Sequence, residues 1–378
     1  MSRSFDLVGL DGTNPLGFLA ALGTMASLHY AGRGEPRLRW KCTNRWTAVL
    51  EAVNVDAKTQ DDLVALLVET LRGRTVSKEA DERRKCAEQE MQRAKTAIKN
   101  KREEIRKRRL RGSQRTEVEE RELRPLEREY QEKRRRWLDA LREVVPRPEL
   151  ALGKRLDCTP SEYREHVAAV MNSASQASRE TLDMYGSFGV DAIRQKNNDS
   201  IEPTPFCFIR GSGHQDFLDT ARELIARVTE EAVARTLFSV WSYPDQGLSM
   251  RWDPIEDRRY ALMDRDPTAS GNKPRTMWMA NLLAYRSLAV FPAAPVGRRL
   301  QVSGWDPNHQ TFTWPLWEHP LSLDAVRSLV QLRELVKERP NVPALRALGI
   351  VAAYRTTRIE VGSGANKKLN FSPARRVV

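Results

Sequence analysis

The feature that most constrains the fold is a highly charged segment, residues 78–145, in which a few large apolar side chains recur every seven residues. A seven-residue spacing keeps these side chains on one helical face and is typical of coiled-coil helices. The series breaks once, at the Arg-Gly-Ser sequence of residues 111–113, which predicts two helices joined as an antiparallel hairpin. The recurring side chains are Met91, Ile98, Ile105, Leu123, Tyr130, Trp137 and Val144.

The ends of this segment carry ordinary helix signals. Ser77 suits the N-cap of the first helix, and Pro146 suits the end of the second. Each arm has about 30 residues, which gives a length of about 45 Å at 1.5 Å per residue. Lys101 and Lys133 fall at positions of the apolar seam, which weakens an isolated hairpin. We therefore expect contact with a partner to stabilise the hairpin.

The charge balance favours a polyanionic partner. The chain of 378 residues has 63 Lys and Arg against 50 Asp and Glu, a net charge of +13. Residues 78–145 alone contain 23 basic and 16 acidic side chains, so +7 of that excess lies in the hairpin. Such an excess indicates nucleic acid as the partner. A basic surface or tail that serves only solubility is the alternative.

The flanking sequence, residues 1–76 together with 147–378, is expected to form one globular core. Strand and helix patterns are mixed there without regular alternation, which predicts an α+β fold with the hairpin as an insertion. Asn14 followed by Pro15 predicts the start of a buried helix that runs to about residue 30. Further helices are expected near residues 61–71, 161–176, 215–238, 276–290 and 322–337, and strands near 38–42, 47–53, 206–209, 260–263, 311–314 and 354–361.

Location and cofactors are constrained by what the sequence lacks. No apolar run reaches the length of a membrane span, and the first residues do not resemble a signal peptide. We expect a cytoplasmic protein with no membrane partner. Its four cysteines are far apart and form no CxxC pair, so free thiols are expected, with no metal site and no cofactor.

The search for catalytic motifs predicts a protein without catalytic residues. There is no phosphate-binding loop of the ATPase type, no GxSxG and no HExxH. His214, Asp216 and Asp219 would suit a metal cluster, but a carboxylate in the first turn of a helix is also favoured by the helix dipole. A second acidic group extends from Asp253 to Asp266 and alternates with arginines, which indicates turns and local ion pairs rather than a two-metal site.

Three loops combine glycine, amide and cationic side chains in a way that suits contact with a phosphate backbone. Glycines let the backbone approach a ligand, and a following helix presents free N–H groups. The first two loops precede predicted helices, whereas the third lies near the C-terminus, where a flexible tail is the alternative. The candidate nucleic-acid-binding residues are Arg210, His214, Gln215, Asn272, Lys273, Arg275, Asn366, Lys367, Lys368, Arg375 and Arg376.

Tryptophan is the other unusual component, with nine residues. Aromatic rings can stack on bases, but most of these tryptophans lie in apolar stretches that predict core packing. Trp305, between Gly304 and Asp306, is the one expected on an exposed turn.

Four stretches of the core resemble one protein family. They are residues 9–23 (GLDGTNPLGFLAALG), 248–260 (LSMRWDPIEDRRY), 281–296, which ends in a Phe-Pro…Pro-Val turn, and 370–375 (NFSPAR). Their order along the chain is similar to that of the large-subunit family of the type I-G (formerly I-U) CRISPR interference complex, Cascade. The resemblance spans the core from end to end but leaves out the charged hairpin, which departs from the family pattern.

The resemblance implies a non-catalytic role in antiviral defence. Large subunits of this kind bind the PAM in double-stranded target DNA, assist R-loop formation and recruit a separate helicase–nuclease. The implied partners are target DNA, the guide RNA ribonucleoprotein and the other Cascade subunits. Two alternatives stay open: a DNA-processing enzyme with an unrecognised metal site, and a coiled-coil scaffold protein of a defence complex.

Overall fold

The computed structural model describes residues 3–172, 178–195, 199–209, 215–254, 275–361 and 368–378. Helices and antiparallel sheets both contribute substantially and are mixed along the chain, so the predicted α+β class is confirmed. The chain divides into two units. The core unit consists of Met1–Gly73 and Lys154–Val378, and the insert unit is Arg74–Gly153. The charged segment of residues 78–145 therefore lies within the insert unit.

The helices run in chain order through both units, with α3 to α5 in the insert unit. They are α1 (Pro15–Tyr30), α2 (Gln60–Arg72), α3 (Lys78–Lys107), α4 (Gly112–Val118), α5 (Arg124–Val144), α6 (Pro160–Asn172), α7 (Ser178–Phe188), α8 (Phe217–Ile225), α9 (Glu230–Phe238), α10 (Trp278–Arg286), α11 (Leu323–Val330), α12 (Arg333–Val336) and α13 (Val342–Ala347). A π-helical turn, Glu119–Leu123, links α4 to α5, and 3₁₀ turns follow α5 and α10.

The strands all belong to the core unit. They are β1 (Arg3–Asp11), β2 (Glu35–Cys42), β3 (Trp46–Val53), β4 (Asp245–Gln246), β5 (Arg275–Thr276), β6 (Ala293–Val296), β7 (Arg299–Val302), β8 (Trp305–Asp306), β9 (Thr311–Trp317), β10 (Ile350–Val361), β11 (Lys368–Phe371) and β12 (Arg375–Arg376). One antiparallel sheet has the order β1-β3-β2. A second has the order β11-β10-β9-β8, with β12 also on β10. The pairs β4-β5 and β6-β7 are separate.

Helix α1 is the centre of the core unit, as its apolar sequence predicts. The Asn14 side chain caps it by accepting a hydrogen bond from the Leu16 N–H at 2.8 Å. Residues 15–28 are buried throughout, and α1 packs on α10. A Cβ at Gly23 would lie only 1.7 Å from the Leu283 carbonyl oxygen. Glycine is therefore required for the two helices to approach this closely.

The insert unit is built on two antiparallel helices. Ion pairs join α3 to α5 in opposite chain order, with Arg83 to Glu143 near one end and Arg102 to Glu127 near the other. The predicted N-cap is confirmed, because the Ser77 hydroxyl accepts from the Ala80 N–H at 3.1 Å. The coiled-coil packing itself stays a prediction. The buried seam near the interhelical turn consists of Ile98, Ile105 and Leu123, flanked by Val118, Leu126 and Tyr130.

The two lysines of the predicted seam are accommodated by carboxylates. Lys101 pairs with Glu104 at 2.7 Å and Glu122 at 3.7 Å. Lys133 pairs with Glu129 at 3.5 Å and Glu90 at 3.7 Å. The hydrogen bond that Lys101 donates to Glu104 raises the pKa of Lys101, so the ammonium stays charged beside the apolar seam.

Several expected elements differ from the structure. Residues 206–209 form no strand, because Phe206 and Phe208 insert their rings into an aromatic cluster. The helix expected at 215–238 is two helices, α8 and α9, and the one expected at 322–337 is α11 followed by α12. The strand expected at 260–263 lies outside the described residues.

The exposed position predicted for Trp305 is wrong. This side chain is only 2% exposed. Its ring stacks on Phe371 with centroids 5.8 Å apart and meets the edge of Phe206 at 5.2 Å. The turn residues on either side indicated exposure, but the apolar area gained by this packing outweighs the local turn chemistry.

Candidate nucleic-acid interface

The first two predicted loops are only partly described. Arg210, His214, Asn272 and Lys273 lie outside the described residues. Gln215 is half-buried just before α8. Arg275 lies in β5, where its guanidinium donates to the Pro244 carbonyl oxygen at 2.8 Å. The hydrogen bond commits one donor of Arg275 to the fold.

The acidic residues beside the first loop are used in ion pairs. Asp216, at the N-cap position of α8, pairs with Arg155. Asp219 pairs with Arg222 and with Lys154. Within the described ranges, no group of three or more His, Cys, Asp or Glu could hold a metal ion.

The third loop ends in a paired strand. Asn366 and Lys367 lie outside the described residues, whereas residues 368–378 pair with β10 rather than forming a free tail. Lys368 lies opposite Val361, and Arg375 lies opposite Arg355. Six residues of strand β10 separate these positions, about 20 Å at roughly 3.3 Å per residue. Lys368 therefore lies at the end of β10, whereas Arg375 lies near its middle.

The two arginines of β12 differ in availability. Arg376 donates to the carbonyl oxygens of Val378 at 2.5 Å and Val351 at 3.3 Å. Arg375 is exposed, and its side chain makes no hydrogen bond or ion pair with the described residues. Burial is the main cause that lowers the pKa of the neighbouring Arg355, and the positive charge of Arg375 lowers it further. Of this loop, Arg375 offers its guanidinium most directly to an anion.

The four stretches that resemble the CRISPR family meet in the core unit. Asn14, from the first, donates through Nδ2 to Asp253 Oδ1, in the second, at 3.0 Å. The Met250 N–H of the second donates to Asn281 Oδ1, in the third, at 2.8 Å. Pro373 of the fourth lines a cavity of about 340 Å³ together with residues of the first stretch. Three stretches far apart in sequence are therefore joined by hydrogen bonds, and the fourth lines a cavity together with the first.

Asp253 is the centre of this cluster. It is fully buried, and its second carboxyl oxygen accepts from the Tyr243 hydroxyl at 2.8 Å. Beside it, strand β1 has an irregularity between Leu7 and Asp11 that brings Gly9 against α9. A Cβ at Gly9 would lie 2.0 Å from the Thr236 carbonyl oxygen, so no larger residue fits. These buried hydrogen bonds hold the walls of the cavity in place, and neither carboxyl oxygen of Asp253 is exposed to solvent.

A row of cations on α3, which we call the cation row, was not among the predicted binding residues. It consists of Lys95, Lys99, Arg102 and Arg106. Their spacing of i, i+4, i+7 and i+11 places all four on one flank of the helix. They line two adjacent surface grooves that share Arg102. Arg102 pairs with Glu127, whereas the other three are exposed and make no ion pair in the part of the chain that the structure describes. The helical spacing of these residues was available as a sequence signal.

A second group of cations surrounds a cavity of about 520 Å³ in the core unit. Four of its lining residues are Arg194, Arg298, Arg299 and Arg358. Only the adjacent pair at 298–299 is visible as a basic site in the sequence. The other two come from distant segments and are brought to the same cavity by the tertiary structure.

No protein-family model matches the chain, and no curated protein sequence matches it. No helix of the described ranges is long and apolar enough to cross a membrane.

Proposed function

We propose that this protein is a nucleic-acid-binding subunit without catalytic activity of its own. The observation that carries the proposal is the cation row on α3. Three unpaired cations and one paired arginine extend over eleven residues of helix, about 17 Å at 1.5 Å per residue. Over that length one strand of B-form DNA presents about five phosphates. The groove lined by Lys95, Lys99 and Arg102 has no carboxylate among its lining residues and provides a concave surface for such a backbone. The adjacent groove at Arg106 is also lined by glutamates.

The more particular proposal is the large-subunit role in a type I-G Cascade complex. It is supported by the resemblance of four stretches and by the hydrogen bonds that join three of them in the core unit. In this role the protein contacts the PAM and the duplex, assists R-loop formation and recruits a helicase–nuclease in the cytoplasm. Guide pairing supplies most of the sequence specificity, while the protein contacts backbone and PAM.

The first test measures binding of the full chain to a labelled duplex over a range of salt concentrations. The variant Lys95→Gln/Lys99→Gln/Arg106→Gln removes three unpaired charges, and glutamine has nearly the helix propensity of lysine and arginine. The slope of log affinity against log salt is expected to fall by about 2.7, from roughly 0.9 per phosphate contact. Lys78→Gln/Arg93→Gln is the matched control, since these exposed cations of α3 lie outside the row.

Equal affinities and slopes for the row variant and the wild type would contradict the assignment of the row. The Cascade role has a separate test: co-expression with the other subunits of a type I-G Cascade complex and a guide RNA is expected to give a particle that contains this chain and the guide RNA. A particle that assembles and opens target duplex equally well without this chain would refute that role.

A further inference from the structure

The arginine-lined cavity of the core unit contains a buried donor that the fold does not use. Trp305 lines this cavity and is 2% exposed. Its indole N–H is buried and finds no hydrogen-bond partner among the described residues. The buried tryptophans at 252, 314 and 317 each donate their N–H to a carbonyl oxygen at 2.7–2.9 Å. Trp40 and Trp137 also have a buried N–H without a partner among the described residues, but neither of them lines this cavity. A buried donor without a partner is costly, and Trp305 is the one of these three that lines this cavity, so an acceptor bound there would satisfy it.

The charges around Trp305 specify an anionic acceptor. The guanidinium of Arg358 lies 5.9 Å from the ring centroid of Trp305 and donates to the carbonyl oxygen of Pro205 at 3.3 Å and to Gln310 Oε1. Arg299 donates to Asn308 Oδ1 at 2.5 Å. Arg298 is exposed and makes no ion pair within the described ranges. Arg194 pairs with Asp199, and Glu202 is the carboxylate that lines the cavity. Four guanidinium groups against these two carboxylates leave a net positive charge.

The size and walls of the cavity narrow the ligand class. Its volume of about 520 Å³ lies in the usual range of small-ligand sites, roughly 300–1,000 Å³. Apolar side chains, among them Ile193, Leu300 and Val302, form part of the wall beside the arginines. Arginine forks match phosphate oxygens, and an apolar wall suits the face of a base. A double helix cannot enter a site of this size, whereas one nucleotide of a single strand can.

We propose that this cavity binds one nucleotide of a single-stranded nucleic acid, with its phosphate held by the arginines and by the indole N–H of Trp305. The inference deepens the proposed function, because it adds a single-strand site in the core unit to the duplex contacts of the insert unit. A protein that assists strand separation needs to bind the duplex and also the single strand that is released.

The direct test is a titration of the ¹⁵N-labelled full chain, followed by the indole N–H resonances. The Trp305 resonance is identified by its loss in Trp305→Phe. It is expected to shift downfield with uridine 5′-monophosphate and, at higher concentration, with inorganic phosphate. Uridine without phosphate is expected to leave it in place. A resonance that does not move with the nucleotide, or moves equally with uridine, overturns the phosphate assignment.

The second test measures affinity for a labelled 12-nucleotide strand, as DNA and as RNA, to identify which strand is preferred. Arg298→Gln/Arg299→Gln is expected to lower the salt slope by about 0.7, the value for the one phosphate of a single strand that the cavity holds. Arg346→Gln, an exposed arginine of α13, is the matched control and is expected to bind like the wild type. Arg358→Lys keeps the charge but loses the fork, so it separates phosphate geometry from charge alone.

The outcomes distinguish this inference from the proposed function. If the variants of the cation row lose affinity but Arg298→Gln/Arg299→Gln does not, the cavity assignment is overturned and the proposed function stands. If the wild type binds neither duplex nor single strand, the proposed function fails. A nucleotide-dependent shift of Trp305 would then still support the cavity as a nucleotide site. A loss in Arg346→Gln equal to that of the cavity variant would show that general charge, and not this cavity, binds the strand.

Discussion

The hydrogen bond between Asn14 and Asp253 offers the sharpest test of the cluster that joins the family-like stretches. Asn14 has two roles in the structure. Its oxygen caps α1 by accepting from the Leu16 N–H at 2.8 Å, and its nitrogen donates to the buried carboxyl of Asp253 at 3.0 Å. Asn14→Ala removes both interactions. We therefore expect a larger cost than the loss of a helix cap alone.

The magnitude follows from the two interactions. Loss of the cap costs about 1 kcal/mol. Loss of a hydrogen bond to a buried charged group costs about 1.5–3 kcal/mol. Asn14→Ala is thus expected to lower the free energy of unfolding by about 2.5–4 kcal/mol. Asn14→Ser keeps a capping oxygen and is expected to cost only the second part.

The assay is urea unfolding followed by tryptophan fluorescence, because eight of the nine tryptophans lie in the core unit. Asn341→Ala is the matched control, since the Asn341 side chain caps α13 by accepting from the Ala344 N–H and makes no other hydrogen bond with the described residues. A double-mutant cycle with Asp253→Ala isolates the pair. The reasoning is refuted if Asn14→Ala costs no more than Asn341→Ala, or if the Asn14 and Asp253 substitutions are additive.

Three further predictions concern the insert unit and the absence of catalysis. Replacing residues 78–145 by a short Gly/Ser linker is expected to leave a cooperative thermal transition, because the Arg74 N–H donates to the Pro146 carbonyl oxygen at 3.1 Å and so brings the two ends together; an insoluble product would contradict this. The pKa of Glu104 is lowered by Lys101 and Arg108, and that of Glu122 chiefly by Arg108. The ion pairs of Glu104 and Glu122 therefore stabilise the hairpin above the unfolded pKa of 4.5, and this stabilisation is lost as the pH falls through the lower folded pKa values. Circular dichroism of the full chain between pH 6 and 2 measures the loss of helix. Helix content that is unchanged on acidification would count against the ion pairs. The purified chain is expected to cleave no DNA with Mg²⁺ and to hydrolyse no ATP, and cleavage that disappears on substitution of one acidic residue would overturn the non-catalytic proposal.

The sequence determined the features that depend on local pattern. The helix start at Asn14, the N-cap at Ser77 and the mixed α+β class follow from capping chemistry and periodicity, which act within a few residues of the chain. The spacing of the cation row, Lys95 to Arg106, was equally available, because helical geometry alone places those side chains on one flank.

Tertiary structure decided what depends on contacts between distant segments. Trp305 had the local signature of an exposed turn, but rings from residues 206 and 371 cover it. Asp253 had the appearance of a loop carboxylate among arginines, yet it is buried against Asn14, which lies 239 residues away in the chain. No sequence pattern predicts that Arg194, Arg298 and Arg358 line one cavity. Such arrangements arise when burial of apolar area and satisfaction of buried polar groups across the whole fold outweigh local preference.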